Sequence, residues 1–85
     1  MEELISEVFS ELRRAEGKHP SFPTDPLHAV AIVGEEFGEL TKAVLQQTYE
    51  PHKQESDAVK KEAIQTAAMA LRFLFNLENL QFNRP

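Results

Sequence analysis

The chain has no cysteine, only three glycines and no run of basic residues. Without cysteine, neither a disulfide nor a thiolate metal site can stabilise an 85-residue fold. The three histidines, His19, His28 and His52, lack the HExxH or paired spacing of a zinc site. A net charge of −5 with no basic stretch argues against nucleic acid as a partner, because nothing neutralises phosphates over a surface. No apolar run is long enough to span a bilayer, and the N-terminal MEELISEVFSELRR is acidic and amphipathic rather than a signal peptide. These absences lead to the expectation of one cytoplasmic domain over residues 1–85, with no membrane association.

What is present is helical periodicity. In residues 2–16, Leu4, Ile5, Val8, Phe9, Leu12 and Ala15 make one stripe, and Gly17 is a natural stop. KHPSFPTD is a loop by its two prolines. Its one large apolar residue, Phe22, either plugs the end of the core or closes over a ligand, with Phe22 or His19 against a planar ring. Asp25 followed by Pro26 starts a second helix that runs to Tyr49, before Pro51. Its apolar side centres on Val30, Val33, Phe37, Leu40 and Val44, with Ala29, Ile32 and Ala43 on one shoulder. Gly34 and Gly38 lie on its flank, where they either permit close approach of another helix or are merely tolerated.

A third helix is expected from Ser56 or Asp57 to about Asn79, apolar over more than half its circumference. Its polar residues form a narrow strip, Glu62, Gln65, Arg72 and Asn76, with Met69 filling the gap. Helices apolar on most sides belong inside an assembly. A monomer of this length buries only about 60–65% of the surface its unfolded chain exposes. The expected architecture is therefore all-α: three main helices per chain, two of which pair with two from another subunit in a four-helix-bundle core. Phe82 is expected to tuck against the body.

The acids carry the functional signal. In AIVGEEFGELTKAV, Glu36 falls inside the apolar arc, Glu39 sits at its edge one turn on, and Glu35 points outward. ExxE is common on solvated helix faces. Here, however, one acid lies where burial is expected, and the most apolar helix carries a matching polar strip headed by Glu62. A short connection makes the two helices antiparallel neighbours, so Glu36, Glu39 and Glu62 are expected to converge. Converging carboxylates repel unless a counter-charge joins them, and hard divalent cations such as Mg²⁺ suit that arrangement. Arg72 and Asn76, further along the strip, are then placed to hold phosphate or base.

Glu36-Phe-Gly-Glu39, followed on a second helix by Glu62-Ala-Ile-Gln65, resembles the ExxE…ExxD signature of the MazG-like all-α nucleotide pyrophosphohydrolases. The resemblance covers roughly residues 27–77. It implies a Mg²⁺-dependent enzyme (with Mn²⁺ as the other candidate ion) that cleaves a nucleoside or deoxynucleoside triphosphate to the monophosphate and pyrophosphate, in a house-cleaning role. It also implies a homodimer or dimer of dimers, with Glu36, Glu39 and Glu62 as catalytic metal ligands. Arg72, Asn76 and Phe22 are the candidate substrate contacts. Gln65 departs from the signature: its amide oxygen can coordinate an ion but brings no charge. That departure leaves two alternatives open, a nucleotide-binding or regulatory module of the same fold and a purely structural helical oligomer.

Overall fold

The computed structural model describes residues 1–82, which form α1 (Glu2–Lys18), α2 (Pro26–Tyr49) and α3 (Ala58–Phe75), with 3₁₀ turns at Pro51–Lys53 and Leu77–Asn79. No strand occurs among the described residues, and none of their helices is long and apolar enough to cross a membrane. The bounds of α2 match the sequence expectation. Asp25 Oδ1 accepts from the Leu27 N–H at 3.0 Å, with Pro26 in the first turn. At the other end the Glu50 N–H closes onto the Gln46 carbonyl before Pro51.

The other two helices end differently from expectation. Gly17 does not stop α1, which continues through it with no positive φ. Termination falls to His19, held at φ −132°, ψ 81° by the proline that follows. Helix α3 stops at Phe75 rather than near Asn79, because the Asn76 side chain folds back and donates to the Arg72 carbonyl at 2.8 Å. Its N-terminus begins at Ala58 without a side-chain cap.

Helix α3 is central. Helices α2 and α1 each pack along it and not on each other. Helix α2 runs antiparallel to it, with Glu36 beside Thr66 and Ala43 beside Gln54. Helix α1 runs parallel to it: Lys60 meets Glu7 at 3.3 Å, and Arg72 meets the chain just beyond Lys18. The tail returns to the loop through the Gln81 N–H and the Thr24 carbonyl at 2.8 Å. Leu80 is the tail residue that becomes buried, whereas Phe82 stays exposed, contrary to expectation.

The buried apolar residues are Leu12, Ala15, Ala29, Ala43, Ala68 and Leu80, and no large described side chain is fully enclosed. Alanines at the crossings let the helices approach closely but contribute little area. The apolar arc of α2 is wider than one neighbour can cover. Helix α3 takes the shoulder, burying Ala29 and Ala43, so Val30, Phe37 and Val44 from the expected centre are left exposed. The body is correspondingly elongated, 50 × 27 × 22 Å with a radius of gyration of 14.6 Å, against about 12 Å for a globule of this length.

Candidate functional site

Glu36 and Glu62 come together at the α2–α3 contact. The Thr66 hydroxyl sits 2.8 Å from the Glu62 carbonyl of its own helix and 3.1 Å from the Glu36 carbonyl of α2. Both acids are half-buried. Burial is the main influence raising the Glu36 pKa above the usual carboxylate range, and the charge of Glu62 comes next, with Glu11, Glu39 and Glu35 adding to it. Glu62 Oε2 is buried and has no hydrogen-bond partner among the described residues. A buried acceptor without a donor is costly, and a proton or a cation relieves it.

The remaining sequence candidates fall into different places. Glu39 is exposed, as is Glu35. Among the described residues no three of His, Asp or Glu are grouped closely enough to hold a metal ion, so the expected triple convergence reduces, within one chain, to the Glu36–Glu62 pair. Gln65 is half-buried and lines a groove between α1 and α3 of about 740 Å³, whose walls also carry Glu11, Arg14, Lys60 and Lys61.

Arg72 and Asn76 are occupied by the fold. Arg72 is only 4% exposed. One of its terminal nitrogens donates to the carbonyls of His19 and of Ser21, the latter at 3.2 Å, and its guanidinium lies 5.2 Å from the centre of the Phe22 ring. Arg72 thereby fastens the α1–α2 loop to α3 through Nη2, while it also lines the cavity described next. Asn76 ends α3, as described above.

The loop so fastened roofs a cavity of about 530 Å³, lined by His19, Phe22, His28, Ile32, Met69 and Arg72. Ile32 lies one turn before Glu36 on α2 and Met69 two turns after Glu62 on α3, so the cavity and the carboxylate pair share two helices, although neither acid lines the cavity. It presents one aromatic face, two imidazoles and an apolar floor.

Sequence reasoning gave no role to an acid–base pair on α1. Glu11 accepts from Arg14 through both oxygens, Nε–Oε1 at 3.0 Å and Nη2–Oε2 at 2.6 Å, and its charge reaches Glu36. An i, i+3 acid–base pair beside the buried Leu12 is a weak local signal. Only the packing of α1 on α3 gives it a place next to Gln65. Comparison with protein-family models, curated proteins and solved structures finds no match to this chain.

Proposed function

We propose that the protein is a Mg²⁺-dependent nucleotide pyrophosphohydrolase of the MazG-like type, converting a nucleoside or deoxynucleoside triphosphate to its monophosphate and pyrophosphate. The observation that carries the reading is the Glu36–Glu62 pair, one of whose oxygens is buried with no hydrogen-bond partner among the described residues; a cavity wide enough for a heterocycle lies further along the same two helices. Mg²⁺ is commonly held by one or two carboxylates together with waters and substrate phosphates, so a pair fits it without a closed protein cage. Glu36 and Glu62 would hold the ion, and Glu39 and the Gln65 amide oxygen are the next donors on the same helices. When bound, the ion supplies charge neutralisation for the phosphates and acidifies a coordinated water. Phe22 and His19 offer ring faces to the base, and Arg72 keeps that wall in place.

Self-association belongs to the same reading. Leu27, Val30, Phe37 and Val44 on α2 are 79%, 51%, 60% and 45% exposed. With Gly34 and Thr41 they follow alternating three- and four-residue steps, the spacing of a helix-packing seam. Nothing lies within 4 Å of a side chain built at Gly34 or Gly38, so a second helix has room there. On α3, Leu74 is likewise exposed, as is Leu77 just beyond its end. Covering these residues with a second copy completes a four-helix core that one chain leaves open.

The test is incubation with Mg²⁺ or Mn²⁺ and a panel of ribo- and deoxyribonucleoside triphosphates, following pyrophosphate and monophosphate together. Release of both in equal amounts is expected. Saturable binding of a triphosphate without release would instead establish the binding-module reading, which the uncharged Gln65 favours. Neither binding nor release, at high protein concentration, would leave only the structural oligomer.

A further inference from the structure

The cavity under the α1–α2 loop has a wall unlike the rest of this acidic protein. Among the described residues, no side chain lining it is an acid or an amide. Its one buried polar side chain is Arg72, 4% exposed. Both hydrogen bonds of that guanidinium come from Nη2, to the His19 and Ser21 carbonyls, while Phe22 lies against it. Nε and Nη1 therefore have no acceptor among the described residues, and the side chain cannot turn to find one without releasing the loop. A guanidinium carries only donors and keeps its charge, so a ligand that fills this cavity has to bring an acceptor to it. The remaining wall selects shape. Phe22, Ile32 and Met69 suit a flat ring, and about 530 Å³ is within the range of small-molecule sites.

We propose that this cavity takes a planar oxo-heterocycle, a base of the uracil, thymine or hypoxanthine type, with a ring carbonyl set on Arg72, and that it disfavours the amino counterparts cytosine and adenine. The inference names the substrate class of the hydrolase reading and rests on that reading. An amino group in place of the carbonyl sets donor against donor and desolvates the guanidinium with no bond in return. The groups left to accept from that amino group, two imidazoles and the Ser21 hydroxyl, belong to exposed residues, where water competes.

The chain's two methionines supply the test. Met69 stands in the cavity wall and Met1 at the exposed N-terminus, so NMR of isotope-labelled methionine methyl groups in the whole chain reports occupancy at one signal with the other as control. The ligands are matched pairs, uridine with cytidine monophosphate and inosine with adenosine monophosphate. Met69 should shift and Met1 should not, and the oxo member of each pair should bind about tenfold or more tightly. Equal affinities within either pair, tighter binding of an amino member, or no Met69 shift with any of them would overturn the proposal. An equal Met69 shift with inorganic phosphate would do the same, since the cavity would then be a phosphate site. His28→Phe keeps a ring on the rim and should leave the preference in place; its loss would mean that His28, not Arg72, reads the carbonyl. Pyrophosphate release with Mg²⁺ separates the two levels. Turnover that favours the amino triphosphates would leave the hydrolase standing and remove the base assignment. The expected Met69 shifts without any turnover would remove the hydrolase and leave the base site.

Discussion

The Thr66 hydroxyl lies within hydrogen-bonding distance of the Glu36 main-chain carbonyl, 3.1 Å away on the neighbouring helix. Because the same hydroxyl is 2.8 Å from the Glu62 carbonyl, one side chain sets the distance between the two segments that carry the central acids. Thr66→Val keeps the branched shape and removes the bond. It should cost about 0.5–1.5 kcal/mol in urea unfolding and reduce the Mg²⁺-induced rise in melting temperature. An unchanged response to Mg²⁺ would show that the spacing tolerates the loss.

Glu36 gives a pH signature. Burial first, then the charge of Glu62, keeps its proton on in the native chain at pH values where the unfolded chain has released it. The native state therefore binds more protons between the two pKa values. The contribution of this group to stability is complete below the unfolded value and is lost as pH rises through the native one. Glu36→Gln carries no such charge, so in metal-free buffer its melting temperature should exceed the parent's near neutral pH. The gap should close toward about pH 4, where a free carboxyl is largely protonated. A gap independent of pH would contradict the assignment.

Arg72 is predicted to act through the loop. Arg72→Met removes the charged donors from the His19 and Ser21 carbonyls and the cation above Phe22. The expected loss is about 2–4 kcal/mol, with faster tryptic cleavage after Lys18 as the loop detaches. Arg72→Lys should recover only part of this, since a single ammonium cannot reproduce the planar fork. Were Arg72 mainly a phosphate contact, Arg72→Met would leave cleavage after Lys18 unchanged.

The exposed seam of α2 makes an opposite kind of prediction. Phe37 is 60% exposed within one chain, so Phe37→Asp should alter the stability of an isolated chain by no more than about 0.5 kcal/mol. In sedimentation velocity it should shift the protein to a smaller species, and the melting temperature of the parent, unlike that of the variant, should rise with concentration. Identical sedimentation of parent and variant would remove this face from the interface.

Much of the architecture was legible in one dimension. The Asp25-Pro26 start and the Pro51 stop of α2 follow from local chemistry: a side-chain cap, a preset φ and a missing N–H act within a few residues. Glu36 on an otherwise apolar arc was visible for the same reason, since helical periodicity alone sets which side a residue takes. The end of α1 was misread because Gly17 only permits a stop, whereas Pro20 restricts the residue before it. The end of α3 was misread because an Asn76 side chain that folds back on Arg72 leaves no mark in the apolar pattern.

The sequence by itself determined three helices, the polar strip of α3 and the inward turn of Glu36, all of them properties of periodicity and local stereochemistry. Tertiary structure decided which parts of a wide apolar arc are covered, and it left Val30, Phe37 and Val44 outside. It also decided that Arg72 serves a loop and that Glu11 of α1 and Gln65 of α3 line one groove. Those outcomes depend on which helix packs beside which. That choice is made by the summed fit of whole faces, such as alanines 15, 29, 43 and 68 that let the helices close on one another, and no single motif encodes it.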